Sequence, residues 1–267
     1  MFDNILNNAP IFLLIFARCF SMLLVLPMFS MRAVSRVAKV AFAGYLAFFV
    51  FGTVDLSFYL PYIKDDGTFS MEYFLILTGE VLIGVILGFF ISMIFAAFSS
   101  AGQFLAFQMG ISAASSYDSL SQVENPLMGQ FFNLIAMLVF MQTHWFQKLF
   151  LNGLVTSFSS LNSISIVNST QSIVKFVLSG LVGLFADALI ISLPVMGSLF
   201  LVSVCTGLLT KAAPQMNLLS EGFPIMIMLA FFIIAFVLPD MIDFFIRCFE
   251  KGFADLFDFF KNVSGGI

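Results

Sequence analysis

Charged residues are scarce in this 267-residue sequence. Lysine and arginine number 11, aspartate and glutamate number 15, and charged residues make up 10% of the chain, against 61% hydrophobic residues. A soluble domain carries about 25% charged and about 45–50% apolar residues. So few charged side chains cannot cover the outside of a water-soluble globule this apolar. The composition argues against a soluble enzyme, a nucleic-acid-binding protein and a disordered linker, and it predicts an integral membrane protein.

Residues that bind metals or react with substrates are equally sparse. His144 is the single histidine, and the three cysteines, Cys19, Cys205 and Cys248, lie far apart in apolar stretches. A zinc site of cysteine and histidine is therefore not expected, and the cysteines are expected to be small buried hydrophobic residues. No P-loop or GxGxxG motif occurs, and one histidine offers no Ser/His/Asp grouping. We predict no enzyme activity, no cofactor and no metal.

The amino terminus lacks the features of a cleaved signal peptide. MFDNILNNAP contains no basic residue, and the apolar run at 11–31 is too long for a signal sequence. Because a span needs about 20 apolar residues, the sequence predicts an all-α integral membrane protein, one membrane domain over 1–267, with about six long helices and no internal repeat. Pro194 predicts a kink in the fifth. Their approximate bounds are 10–31, 40–60, 73–98, 127–150, 173–206 and 223–246.

Between Glu80 and Asp118 the sequence has 37 consecutive positions without a charge. As a helix these would extend about 55 Å, whereas the hydrocarbon core of a bilayer is about 30 Å thick. We therefore expect the stretch to bend, break or leave the bilayer. Its second half, residues 99–126, is rich in Ser, Gly, Gln and Ala. Two interpretations stay open, a polar loop outside the membrane and a re-entrant or pore-lining segment buried in protein.

Basic residues near the ends of the apolar segments indicate an orientation. Arg32, Arg36 and Lys39 follow the first segment without an acidic residue, which predicts a cytoplasmic loop and an external amino terminus. Six simple crossings would place the carboxyl terminus outside as well. Residues 240–261 alternate charges with phenylalanines at three- and four-residue spacing. This pattern predicts an amphipathic carboxyl-terminal helix, on the membrane surface or packed on a partner.

Three charged residues, Arg18, Glu80 and Asp187, lie within or beside apolar segments. A charge at the bilayer centre costs at least about 2.5–3.5 kcal/mol. These residues are either a proton or ion relay or members of structural ion pairs near the interface. Three scattered groups favour the structural interpretation. Gly84 and Gly88 form a GxxxG step that permits close helix packing.

Residues 207–224 read GLLTKAAPQMNLLSEGFP between two apolar segments. This string resembles the signature of the flagellar biosynthetic FliR family (FliR/SctT) of the type III secretion export apparatus. Residues 103–126, QFLAFQMGISAASSYDSLSQVENP, resemble the family's central loop, and residues 26–47 resemble its first cytoplasmic turn. Val34 and Ser35 stand where the family often has a proline. The residues of the signature turn are Lys211, Pro214, Gln215, Asn217, Gly222 and Pro224.

The resemblance implies a subunit of the flagellar protein export gate in the bacterial inner membrane. Family members form this gate with FliP-type and FliQ-type subunits in the flagellar basal body, and it contacts FlhB-type and FlhA-type proteins. Unfolded flagellar proteins cross through its centre. The family's helices are arranged as hairpins that partly leave the bilayer, and its central loop plugs the channel. The corresponding residues here are Met109, Gly110, Ser112, Ser115, Ser116, Tyr117, Asp118, Gln122 and Glu124.

Two other functions share much of this composition. A small secondary transporter or ion channel would be favoured by internal symmetry, paired half-helices and titratable pairs, and the sequence shows none of these. A passive membrane scaffold has the same composition, and only the central loop and the PQMN string argue against it.

Overall fold

The computed structural model describes residues 8–30, 34–54, 57–62, 70–111, 127–163, 169–212 and 222–264. No strand occurs in these residues, so the predicted all-α fold is confirmed. A 3-10 turn covers Ser57–Tyr62 and a π-helical turn covers Leu149–Leu154. The α-helices are α1 (Ala9–Val25), α2 (Pro27–Ser30), α3 (Arg36–Phe51), α4 (Met71–Gln108), α5 (Leu127–Gln142), α6 (Trp145–Lys148), α7 (Val155–Ser160), α8 (Thr170–Ala212) and α9 (Phe223–Ser264).

Three of the helices, α4, α8 and α9, are long and apolar enough to cross a membrane. A fourth span is possible where α5 and the segment Trp145–Ser160 meet at a bend of 71°. Each of the six predicted apolar segments coincides with helix, but α1 has 17 residues and α3 has 16, short of a full crossing. The chain is an all-α membrane protein with three or four long apolar helices in its described part.

Helix α4 is longer than the sequence predicted. It begins after Ser70, whose hydroxyl accepts a hydrogen bond from the backbone N–H of Tyr73 at 3.2 Å. It runs unbroken for 38 residues to Gln108, ten residues past the expected end at 98. Gly110, with φ of 77°, then takes a left-handed conformation that favours glycine. The first part of the polar stretch is thus helix and not loop, because Ala101 and Leu105 are fully buried there.

The described residues form two compact units. The first unit comprises 1–93, 144–181 and 250–267, and the second comprises 94–143 and 182–249. The chain passes from one unit to the other within α4, α8 and α9 and at the bend before His144. Long single helices therefore contribute to both units.

In the first unit, α1 packs closely on α4 at the GxxxG step. A Cβ added at Gly84 would overlap Ser21 and the carbonyl oxygen of Arg18, and one at Gly88 would lie 2.7 Å from the carbonyl oxygen of Met22. Only glycine permits backbones to approach this closely. Nearby, the rings of Phe90, Phe176 and Phe259 form a continuous stack, with centroid separations of 4.2 Å at both steps.

In the second unit, aromatic rings of α4, α5 and α9 form the core. The Phe98 and Phe245 centroids lie 4.2 Å apart, and the Phe249 ring contacts Phe95 at 5.2 Å and Phe140 at 5.1 Å. Aromatic pairs at such separations contribute about 0.5–1.5 kcal/mol beyond their buried area. This core aligns the carboxyl-terminal end of α4 with α5.

The predicted amphipathic helix at 240–261 is the second half of α9, which continues through Pro239 from Phe223. Phe245, Phe249, Phe253 and Phe260 are buried, and the charged residues of this segment are exposed. The apolar face packs on aromatic residues of the same chain. This differs from the expected membrane surface or partner protein, because the partners of these phenylalanines are distant in sequence.

Candidate functional site

Two of the three charged residues that lie in or beside apolar segments contact each other in the first unit. Arg18 lies in the middle of α1 and Glu80 lies in α4, and both are 0% exposed. The Arg18 Nε atom donates to Glu80 Oε2 at 2.6 Å. The close approach of α1 and α4 at Gly84, one turn beyond Glu80, brings the two side chains within reach.

The remaining donors of Arg18 hold the segment that ends α7. Nη1 donates to Ser157 Oγ at 3.1 Å, and Nη2 donates to the carbonyl oxygen of Leu161 at 2.8 Å. The guanidinium also lies 3.9 Å from the centroid of the Phe158 ring. A cation at a helix carboxyl terminus is favoured by the helix dipole. Arg18 therefore fixes the end of α7 against α1.

The second oxygen of Glu80 accepts two further hydrogen bonds. Tyr59, in the 3-10 turn, donates its hydroxyl to Oε1 at 2.8 Å, and Ser163 donates to the same atom at 2.5 Å. Burial raises the pKa of the Tyr59 phenol above its usual range, so the hydroxyl stays protonated and donates. The residues Arg18, Tyr59, Glu80, Ser157, Leu161 and Ser163 form what we call the Arg18–Glu80 network.

The geometry of this network is that of a satisfied buried ion pair. Each charge has a partner of opposite sign and at least two further hydrogen bonds, the condition under which buried charges persist in proteins. The network joins two segments outside the long helices, Ser57–Tyr62 and residues 157–163, to α1 and α4. Asp187, a half-buried residue of α8, lies in the second unit.

Tyr59, Ser157 and Ser163 were not singled out from the sequence. Their types are common, and the sequence separations of the contacts reach 139 and 143 positions for Ser157 and Leu161. The cost of burying Arg18 and Glu80 indicated that donors and acceptors must surround them. Within the described residues, no group of His, Cys, Asp or Glu is arranged to bind a metal ion.

The expected plug residues are only partly described. Met109 is fully buried, and Gly110 ends α4. The chain continues as α5 from Leu127. Gly102 of α4 packs against the backbone of Met128 and Gly129 in α5, so the helices on either side of the loop are in contact within the second unit. The other predicted plug residues, Ser112, Ser115, Ser116, Tyr117, Asp118, Gln122 and Glu124, lie outside the described residues.

The expected signature turn lies between α8 and α9. Lys211 is exposed in the last turn of α8, where a cation suits the helix dipole. Gly222 precedes α9, and Pro224 is its second residue, where a proline costs no backbone hydrogen bond. Pro214, Gln215 and Asn217 lie outside the described residues.

The helices and the satisfied buried charges define an all-helical integral membrane protein, and comparison with known proteins gives its family. The family described as bacterial export proteins, family 1, matches residues 9–252. The chain therefore belongs to this family, as its resemblance to the FliR family predicted.

Individual relatives agree with this assignment. The chain is 32% identical to flagellar biosynthetic protein FliR of Bacillus subtilis over 86% of both chains. It is 25% identical to flagellar biosynthetic protein FliR of Escherichia coli over 89% of this chain and 86% of that protein. It is also 32% identical to surface presentation of antigens protein SpaR of Shigella sonnei, over 63% of this chain and 64% of that protein.

Proposed function

We propose that this chain, a component of the flagellar type III export apparatus by its family, forms a protein-conducting channel with FliP-type and FliQ-type subunits. The channel lies in the bacterial inner membrane within the flagellar basal body, contacts FlhB-type and FlhA-type proteins, and passes unfolded flagellar proteins. The family match over residues 9–252, with FliR relatives of the same length range, carries the proposal. The chain acts as a structural subunit, not as an enzyme.

Exposed apolar surface supports a role within a larger assembly. In the most apolar part of α4, 56% of the residues are buried within the chain, but the corresponding fractions are 28% for α8 and 22% for α9. Met228, Phe232 and Phe236 of α9 are 75%, 72% and 82% exposed. Lipid or partner helices must cover these faces. Partner subunits of the same export gate fit this requirement.

Co-expression tests the assembly. Expressed with FliP-type and FliQ-type subunits, the chain is expected to co-purify with them in mild detergent and to be long-lived. Expressed alone, it is expected to aggregate or be degraded, because the exposed faces of α8 and α9 lack their partners. Size-exclusion chromatography and pulse-chase labelling measure both outcomes. A monodisperse, long-lived monomer would contradict the proposed channel.

The loop between Gly110 and Leu127 is proposed to close the channel at rest. Its sequence is rich in small residues such as serine and alanine and carries two charged residues, Asp118 and Glu124, so few side chains would hold it in place against cargo. Both ends of the loop are anchored, since α4 and α5 pack backbone to backbone at Gly102. A loop between two helices that are in contact is expected to return to the same position after cargo has passed. Constrictions of this kind gate channels by excluding water.

A deletion of residues 112–118 tests the plug. The assembly is expected to form but to leak small ions and dyes, because the pore loses the segment that fills it. A deletion of residues 63–69 provides a control, since it removes the same number of residues from another loop. Dye and ion flux in membrane vesicles gives the measurement. If the 112–118 deletion leaks no more than the control deletion, the loop is a connection and not a plug.

A further inference from the structure

We propose that one end of the first unit binds the headgroups of anionic phospholipids. The surface consists of Arg36 and Lys39 at the start of α3 and of Trp145 and Lys148 in α6, and we call it the basic–aromatic surface. The ligand is the phosphodiester of a lipid such as phosphatidylglycerol in the surrounding bilayer. This inference depends on the chain being a membrane protein and not on the proposed channel.

Aromatic contacts hold the two parts of this surface together. The Phe42 ring of α3 lies 6.4 Å from Phe146 and 5.7 Å from Phe150, and Phe29 lies 5.4 Å from Phe42 and 6.2 Å from Phe146. Lys39 precedes Phe42 by about one helical turn, and Arg36 is the first residue of α3, about one turn before Lys39. Lys148 follows Phe146 by two residues. All three basic residues therefore lie within about two helical turns of the contact between Phe42 and Phe146.

Trp145 and Lys148 are of residue types that are common at a bilayer interface. The Lys148 Nζ atom lies 3.9 Å from the centroid of the Trp145 ring, and that ring stacks on Phe253 at 4.6 Å. Tryptophan is enriched at the level of lipid headgroups, because one edge of its ring is apolar and the other donates a hydrogen bond. Lysine side chains extend their charge to the same level. Trp145 is the single tryptophan of the chain.

The charged residues of the basic–aromatic surface are all positive. Residues 8–30, 34–54, 57–62 and 127–163 contain no aspartate or glutamate. Among the described residues, neither Arg36 nor Lys39 nor Lys148 forms an ion pair with a carboxylate. The acidic residues of α9 that flank Phe253 are accompanied by basic residues of the same helix. These are Glu250 and Asp255, with Arg247 and Lys251.

Positive charge beside exposed apolar side chains matches an anionic bilayer surface. Val37 and Tyr45 of α3 are 78% and 68% exposed, so this helix presents apolar residues next to its basic ones. Each basic residue near an anionic membrane surface raises lipid affinity about fivefold. Three together are expected to raise it on the order of 100-fold, and salt is expected to weaken the effect.

Fluorescence of Trp145 reports directly on the lipids at this surface. The export assembly is reconstituted in bilayers that contain either phosphatidylglycerol or phosphatidylcholine, brominated near the headgroup end of the chains and at equal mole fraction. The Trp145 signal is the difference between this assembly and the same assembly with Trp145→Phe. Brominated phosphatidylglycerol is expected to quench this signal more than brominated phosphatidylcholine, and raising the salt concentration is expected to reduce the preference.

Two triple variants test whether the lipid preference depends on the basic–aromatic surface. Arg36→Gln, Lys39→Gln and Lys148→Gln together are expected to abolish the preference for phosphatidylglycerol. Lys175→Gln, Lys211→Gln and Lys261→Gln remove the same charge from other exposed positions and are expected to retain it. Equal quenching by both lipids in the unmodified chain would overturn the proposal, since another molecule would then cover the surface. Equal loss in both triple variants would also overturn it.

Discussion

Glu80→Gln is expected to lower the free energy of unfolding by about 3–5 kcal/mol, because it leaves the buried Arg18 guanidinium without its counter-charge. The amide of glutamine has nearly the same shape as the carboxylate, so lost packing contributes little. Its oxygen can still accept a hydrogen bond from Tyr59 or Arg18. The expected loss therefore reports on the charge. The measurements are the abundance of the chain in membranes and the melting temperature of the purified assembly.

Glu72→Gln is the matched control for this substitution. Glu72 is an exposed acidic residue in the first turn of the same helix, α4. Exposed charges contribute about 0–1 kcal/mol, so the control is expected to leave the melting temperature nearly unchanged. If Glu80→Gln and Glu72→Gln behaved alike, the Arg18–Glu80 network would not stabilise the fold.

A double variant, Arg18→Met with Glu80→Met, separates a structural role from a relay. Replacing a buried ion pair with apolar residues of similar volume is often neutral or stabilising. The double variant removes the unpaired charge but leaves the hydroxyls of Tyr59 and Ser163 and the Leu161 carbonyl without these partners. It is therefore expected to regain part of the lost stability and to support export, measured as motility. An assembly that is stable but does not export would show that the ion pair acts in transport itself.

Much of the helical architecture follows from the sequence, because long apolar runs free of charge form membrane helices. The end of α4 did not follow. Serine, glycine and glutamine at 99–103 left a polar loop and a re-entrant or pore-lining segment both open, but a helix of such residues is stable where it packs on protein. Gly102 packs on the backbone of Met128 and Gly129, and a contact between segments this far apart leaves no local pattern.

The sequence likewise predicted only part of the candidate site. The cost of a charge in an apolar segment identified Arg18 and Glu80 as residues that need partners. The same argument applied to Asp187, which lies in the second unit. Tyr59, Ser157 and Ser163 bind Arg18 or Glu80 through ordinary hydroxyl groups. Only the fold shows which of many hydroxyl groups are brought to the buried pair.

Gly102→Ala is expected to destabilise the second unit by up to about 3 kcal/mol, the upper end of the usual cost of overpacking. A Cβ at this position would lie 2.6 Å from the carbonyl carbon of Met128 and 2.7 Å from the Cα of Gly129. Both atoms belong to backbone, so no side chain can rotate away, and α4 and α5 must separate. The melting temperature of the assembly gives the size of the effect.

Gly183→Ala provides the control, because nothing lies within 4 Å of a Cβ added there. Alanine is a better helix former than glycine by about 1 kcal/mol, so the control is expected to be neutral or slightly stabilising. The two substitutions are chemically identical, but only Gly102→Ala is expected to lower the melting temperature.

Separation of α4 and α5 would also move the two ends of the loop between Gly110 and Leu127 apart. Gly102→Ala should therefore increase dye leak through the assembled channel, whereas a destabilised assembly that remains sealed would show that this packing does not position the loop.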